Sequence, residues 1–347
     1  MNLRLDLIGE RVSMKHGAGG RAMRQLIGEV FADGFPKAPA GAVSLDAMDD
    51  GAAIPLGDGR FLVLTTDSHV VLPAFFPGGD IGRLAVSGTV NDLAMMGATE
   101  PLGLTCAVIV EEGYSRAELD RIHASMVAAC VEAGTTVVTG DTKVMGKGQL
   151  DGVALNTTGV AVATRVVRDC GLRAGDRLIV TGTIGDHGCA VMAARHKLDL
   201  AGDLRSDVAP INGLIRAALA AGGEGLVTLK DPTRGGLSSA LHEMAQKSGV
   251  GVLLDETAVP VNEAVRAASE LLGIDPLVIA NEGKALVGVR PDVADAVLAA
   301  LRAHPQGRDA AIVGTCTAER PGQVVLDTGF GRRLLVEIEG EPLPRIC

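Results

Sequence analysis

Strand-length apolar runs alternate with helix-length stretches along this chain, and that alternation limits it to an α/β (α+β) architecture. Phe61–Asp67 (FLVLTTD) reads as a buried strand ending on an aspartate, and Gly103–Val110 (GLTCAVIV) as another. Thr136–Asp141 and Val153–Ala163 give two more strands, with a helix over 80–97 between the first pair. Ser115 and Glu118 fit the Ser-x-x-Glu capping box, opening a helix that ends at Gly134. The polar, glycine-bearing stretch Arg165–Arg177 reads as a domain junction. Beyond it, strands fall near Leu178–Thr181, Leu226–Leu229, Val250–Leu254 and Lys284–Val289. Helices fall near Leu237–Gln246, Glu263–Leu272 and Val293–Leu301. The expected division is 1–40 as a glycine-rich loop and helix, 41–165 and 166–330 as two α/β domains, and 331–347 as a mobile tail. A length of 347 residues suits two domains.

Composition excludes several function classes. With a formal net charge of −10, one tyrosine and no tryptophan, the chain lacks the basic footprint and stacking rings of a nucleic-acid binder. The start, MNLRLDLIGERV, carries charges every few residues and has no apolar core of a secretion signal. No apolar run approaches the ~18 residues that span a bilayer. The expectation is a soluble, cytoplasmic protein that binds neither nucleic acid nor membrane. Six cysteines, at 106, 130, 170, 189, 316 and 347, form no C-x-x-C pair, which argues against a zinc knuckle or a dithiol centre. The first five are expected as buried small apolar residues, Cys130 on the helical stripe of Leu119, Ile122 and Met126.

The common nucleotide motifs fail. Gly146-Lys147 is followed by Gly148, and Gly283-Lys284 by Ala285, so no Walker A loop exists. HGAGGRA (His16–Ala22) fits G-x-G-x-x-A in form, but no strong strand precedes it. His242-Glu243 has Gln246 where a zinc motif needs a second histidine, and reads as ordinary helix surface.

Acidic residues at strand ends and turns stand out: Asp49 and Asp50 in AMDDGAAIP, Asp67 in TTDSHV, Asn91 and Asp92 in TVNDLAMMGATEPLG, and Asp141 in TGDTKV. Hard oxygen ligands suit Mg²⁺ held by a few carboxylates and substrate phosphates. Singly, such residues also serve as turn formers and caps. Asn91-Asp92 resists that reading, because it sits inside an apparent helix where both residues have poor propensity. KDPTRGGL (Lys230–Leu237) follows a strand and opens a helix, giving either an anion cradle with Arg234 or a plain connection. IANEGKALV (Ile279–Val287) puts Glu282 and Lys284 in a short polar break, as a surface loop would. The terminal EPLPRIC has two prolines that favour an extended tail. A seven-residue extended segment reaches on the order of 20 Å.

In this order, TVNDLAMMGATEPLG with DDGAAIP and TTD resembles the ATP-binding half of the aminoimidazole ribonucleotide synthetase (PurM-like) superfamily. Within it, HGAGG, FFPGGDIG (Phe75–Gly82), TGDTKV, GDHG (Gly185–Gly188), DPTRGGL, NEGK and the terminal PRIC resemble the HypE family of carbamoyl dehydratases, over about His16 to Cys347. The resemblance implies a two-domain PurM-like fold whose first domain pairs in a homodimer, with ATP near that interface. It implies that a carbamoyltransferase, HypF, loads a carbamoyl group onto Cys347, which ATP then helps dehydrate to a thiocyanate. The cyanide passes to iron on a HypC–HypD complex, for [NiFe]-hydrogenase assembly.

On that basis Asp49, Asp50, Asp67, Asn91, Asp92 and Asp141 take phosphate and Mg²⁺ roles, either Asp49 or Asp50 facing the metal. Thr142, Thr233, Arg234, Gly235 and Gly236 join them around ATP. Lys143 is the candidate to stabilise the developing oxyanion and Glu282 the candidate general base, with HGAGG closing over the phosphates as a lid. Two rivals are a small-molecule synthetase of the same superfamily, acting on aminoimidazole ribonucleotide or selenophosphate, and a nucleotide-binding adaptor without catalysis. HGAGG has no cysteine for selenium chemistry, and neither synthetase has a use for a terminal thiol.

Overall fold

The structure is a computed structural model that describes residues 11–32, 34–198, 203–337, 343 and 346–347. The MNLRLDLIGE start and residues 338–342, 344 and 345 of the tail lie outside the described residues. After a 3-10 turn over Met14–Gly17, α1 (Arg21–Leu26) runs into a π-helical turn, Ile27–Phe31. The first sheet is built from β1 (Ala52–Pro55), β2 (Phe61–His69), β5 (Pro101–Glu111), β6 (Val137–Met145) and β7 (Val153–Ala163), in the order β1-β2-β7-β5-β6. A small hairpin, β3 (Phe75–Phe76) and β4 (Gly79–Asp80), leads into α2 (Ile81–Met95), and α3 (Arg116–Ala133) links β5 to β6.

α2 begins where Asp80 Oδ1 accepts the N–H groups of Gly82 (2.8 Å) and Arg83 (2.9 Å), a cap worth about 1 kcal/mol. The helix lies unusually close to the sheet. A Cβ on Gly88 would stand 2.9 Å from His69 Cε1, and one on Gly159 would stand 2.7 Å from Thr89 Cγ2. Hydrogen in place of side chains there lets α2 lie close enough for Asp92 to reach Thr65 on β2. α3 starts after Ser115 and stops at Gly134, whose φ is +71°, as expected. The capping box itself does not form, since Ser115 makes no side-chain cap bond.

The second sheet has the order β14-β13-β10-β12-β8-β11-β9. Its strands are β8 (Arg177–Val180), β9 (Leu226–Lys230), β10 (Gly251–Asp255), β11 (Leu286–Val289), β12 (Ala311–Thr317), β13 (Val324–Asp327) and β14 (Arg332–Leu335). Helices α4 (Asp186–His196), α5 (Asn212–Gly222), α6 (Gly236–Ser248), α7 (Glu263–Leu272) and α8 (Ala294–Ala303) pack around it. Sequence patterning misses α4, α5 and β12 to β14. α4 begins at a glycine cap and its first eight residues are all buried, so it shows no polar face for a helical period to reveal. One apolar core joins both halves, bringing Ile81 and Ile122 together with Cys189, Ile279, Leu343 and Ile346.

Cys106, Cys130, Cys189 and Cys316 are buried as expected, whereas Cys170 is only partly buried. Among the described residues, no helix is long and apolar enough to cross a membrane.

Candidate active site

A cleft of about 650 Å³ opens where the two sheets face each other. The segment before β1 contributes Asp49 and Asp50, β2 contributes Thr65 and Asp67, and α2 contributes Asp92. From the other side come Asp231, Thr233, Arg234 and Glu282, and Cys347 completes the lining. Most of the residues that the sequence singled out therefore meet at one place.

The acids there crowd one another. Thr65 Oγ1 lies 2.9 Å from Asp92 Oδ2 and 2.9 Å from the Asp50 carbonyl. Burial pushes the Asp92 carboxyl well above the usual range, and the charges of Asp231, Asp67 and Asp50 push the same way. Burial and Asp50 raise Asp231 to about 8, against the pull of Lys230. Asp67 accepts the Ser68 N–H at 2.8 Å, and its other oxygen lies 3.4 Å from His69 Nε2.

Asp49 and Asp50 are differently employed. Asp49 receives Arg168 Nε at 3.2 Å and the Asp169 N–H at 3.3 Å, bracing the junction between domains. Asp50 Oδ1 takes Lys230 Nζ at 2.6 Å, and its Oδ2 is buried without a hydrogen-bond partner.

Asn91 does not turn to the cleft as a phosphate or metal ligand would. Its Nδ2 donates to the carbonyls of Ala209 (3.1 Å) and Glu282 (3.2 Å), and its Oδ1 accepts the Ile211 N–H at 2.8 Å. Three side-chain hydrogen bonds thus clasp the second domain to α2.

Glu282 is not on a surface loop: it is 4% exposed, and Lys284 beside it is largely buried against Asp207 at 3.4 Å. Asp207 also accepts the N–H groups of Glu282 (3.2 Å) and Gly283 (3.1 Å). A Cβ on Gly283 would collide with the Asp207 carbonyl at 1.9 Å, so this turn requires glycine. Glu282 Oε1 has no hydrogen-bond partner, and burial pushes the carboxyl well above its usual range, with Asp67, Asp231 and Asp207 adding to the effect.

The DPTRGGL turn follows β9 and opens α6 as read. Gly235 and Gly236 have φ of +79° and +60°, and a Cβ on Gly236 would stand 2.6 Å from the Ile279 carbonyl. The HGAGG loop packs on this turn, Gly19 so closely that a Cβ would meet the Arg234 carbonyl at 2.5 Å.

Asp141, Thr142 and Lys143 are not brought to the cleft within this chain. They lie on β6, the exposed edge of the first sheet, where Lys143 Nζ pairs with Asp141 at 3.2 Å and is 68% exposed.

Sequence reading missed a buried ion cluster behind the cleft. Lys230 Nζ lies 3.2 Å from Glu243 and 3.7 Å from Asp169 besides Asp50, and Arg24 holds Glu243 at 3.0 Å. Glu243 and His242 are thus not helix surface: the Glu243 side chain is 12% exposed, and His242 is buried between the Ser238 and Leu335 carbonyls. The available signal was Lys230-Asp231, which opens the quoted KDPTRGGL motif.

Among the described residues, no three His, Cys, Asp or Glu side chains form a ready-made metal cage. The cleft nevertheless fits Mg²⁺, an ion that keeps several waters and takes one or two carboxylates plus phosphates. The charges of Asp50, Asp67 and Asp231 raise the proton affinity of Asp92, and those of Asp50 and Asp67 raise that of Asp231; a divalent cation would relieve that crowding.

Comparison with known proteins agrees with this geometry. Residues 48–163 match the family of AIR synthase related protein, N-terminal domain, and 173–327 match its C-terminal domain. A carbamoyl dehydratase HypE of Azotobacter vinelandii is 50% identical over 347 residues, covering 99% of each chain. This chain belongs to the HypE family. The HypE of Escherichia coli K12 is 42% identical, over 97% of this chain and 99% of its own. Among solved structures, a HypE–HypF complex matches at TM-score 0.83 and 45% identity, over 90% of this chain and 99% of that one. A HypE in complex with ATP matches at TM-score 0.79 and 39% identity, over 97% and 100%. The PurM-like, two-domain α/β fold is therefore that of HypE.

Proposed function

We propose that this chain is an ATP-dependent carbamoyl dehydratase whose substrate is a carboxamide carried on its own Cys347. The observation that carries the reading is that Cys347 lines the same cleft as Glu282, Arg234 and the acidic cluster. The reaction balances as thiocarboxamide plus ATP giving thiocyanate, ADP, phosphate and a proton. The carboxamide oxygen attacks the γ-phosphorus and becomes part of a phosphate leaving group. Both N–H protons are lost as the C≡N bond completes and the C–O bond breaks.

Each residue has a task in this scheme. Glu282, in a site that raises its affinity for protons, accepts an N–H proton. Thr233, Arg234 and the backbone of Gly235–Gly236 receive the phosphates. Asp50, Asp67, Asp92 and Asp231 are suited to hold Mg²⁺, which when bound neutralises developing phosphate charge. The closely packed HGAGG loop would cover the phosphates.

Lys143 and Asp141 fit the scheme through a second copy. β6 is an edge strand with Val138 and Val144 exposed, and such edges are ordinarily covered. A homodimer through β6 would carry Asp141, Thr142 and Lys143 toward the cleft of its mate. HypF loading of Cys347 and cyanide delivery to HypC–HypD, in the cytoplasm, complete the proposal.

The test is stoichiometry. Protein carbamoylated on Cys347 should release one ADP and one phosphate per loaded chain with MgATP, and Cys347→Ser should release neither beyond background. Nucleotide binding without ADP release would instead indicate an adaptor.

A further inference from the structure

The GDHG turn has no part in the chemistry above, yet it holds a fully buried histidine. His187 Nε2 lies 2.5 Å from the Ile346 carbonyl oxygen, and Nδ1 lies 2.8 Å from Ser206 Oγ. A carbonyl only accepts, so Nε2 carries the hydrogen, and burial, which lowers the ring's affinity for a second proton, leaves Nδ1 bare. Ser206 must then donate to Nδ1 while accepting the Val208 N–H at 3.1 Å. Each hydrogen in the series Val208, Ser206, His187, Ile346 has one direction only. Phe76 holds the ring edge-on, at 5.3 Å between centroids and 89° between planes.

The rest of the socket is shaped for the tail. Leu343 and Ile346 are buried in the core shared by both domains, and the Val70 N–H donates to the Cys347 backbone oxygen at 3.2 Å. A Cβ on Gly188 would stand 3.0 Å from Leu343 Cδ1, so the glycine after His187 makes room for the chain end. The turn is tied to the Glu282 loop: Gly188 N–H donates to Ala280 (3.1 Å), and Gly185 N–H to Asn281 Oδ1 (2.7 Å).

We propose that His187 is a positioning residue that docks the tail, its Nε2–H on the Ile346 carbonyl setting the register in which the Cys347 thiol enters the cleft. This rests on Cys347 carrying the reacting group. A slip of one residue would move the thiol by about 3.3 Å, comparable to the ~3–3.5 Å approach that a reacting pair must keep. One neutral hydrogen bond adds about five- to tenfold to the docked population, beyond what the buried Leu343 and Ile346 and the Val70 N–H contribute.

Docking can be read without turnover, from the rate at which iodoacetamide alkylates Cys347 in the full-length protein, followed by the mass of the C-terminal peptide. His187→Ala should raise that rate about five- to tenfold and slow dehydration of pre-loaded protein in a single turnover, with ATP affinity unchanged. His187→Gln keeps an N–H for the carbonyl and should return both rates toward the parent's. Ser206→Ala leaves the ring in place but frees its tautomer, and should shift both rates less and in the same direction. Equal alkylation in parent and His187→Ala, or Gln performing no better than Ala, would make His187 a packing residue and overturn the proposal. If the loaded parent fails to dehydrate while the alkylation differences hold, the dehydratase reading falls and the docking role stands.

Discussion

Lys230 Nζ lies 2.6 Å from Asp50 Oδ1, joining the last residue of β9 in the second sheet to the segment that enters the first. Both side chains are nearly buried. Burial opposes the charge on Lys230, but Asp50, Glu243 and Asp169 outweigh it and hold the ammonium protonated. This ion sets the back wall of the cleft and fixes how the domains meet.

Removing that one cation leaves three acids without their common partner. Lys230→Ala should destabilise the fold by about 3–5 kcal/mol, the usual result of breaking a buried pair from one side. Urea denaturation of parent and variant measures it. A loss under about 1 kcal/mol, typical of exposed pairs, would show that the cluster is solvated.

Asn91 separates two roles cleanly. As a clasp it needs two N–H donors for the carbonyls of Ala209 and Glu282, which a carboxylate cannot supply. Asn91→Asp should therefore cost on the order of 1–3 kcal/mol in stability, because the Ala209 carbonyl loses the Asn91 donor and the Glu282 carbonyl keeps only the Ala209 N–H at 3.5 Å, and should slow dehydration. Were Asn91 a metal ligand, the added carboxylate would be tolerated and Mg²⁺ affinity would rise in a titration.

Glu282 predicts a pH profile. Its carboxyl is held well above the usual range by burial and by Asp67, Asp231 and Asp207, so it is ionised only on the alkaline side of that raised value. A general base must be ionised, so single-turnover dehydration should rise with pH through that value and then level off. Glu282→Gln should remove this limb and lower the rate by about 10²–10⁴-fold, with ATP affinity near the parent's. A rate that instead falls over the same limb would make Glu282 a proton donor.

Mixing variants locates Lys143. If it serves the cleft of a second copy, Lys143→Ala and Cys347→Ser proteins, each inactive alone, should recover activity when mixed and allowed to exchange subunits. The active site would combine Cys347 from one copy with Lys143 from the other. No recovery, with mixed dimers present by native mass spectrometry, would place Lys143 and Cys347 in the same copy's chemistry.

Much of the site was legible because its residues sit at strand ends and helix starts that the chain pattern marks. Asp67 closes the apolar run of β2, which itself continues to His69, and Thr233–Gly236 opens a helix. What stayed hidden depends on how two sheets face each other. Asn91 was anomalous for a helix, yet the anomaly could not tell a ligand from a clasp, because its partners lie more than a hundred residues away. Glu243 read as ordinary helix surface and Lys230 had no role assigned, whereas the apposition places them against each other and against Asp50 and Arg24. Short strands such as Val324–Asp327 carry too few residues for any period to register.

The central claim is that Cys347 carries the group being dehydrated. Protein carbamoylated on Cys347, incubated with MgATP and digested, should yield a C-terminal peptide lighter by one water, in step with ADP release. A peptide of unchanged mass despite ATP hydrolysis would contradict it.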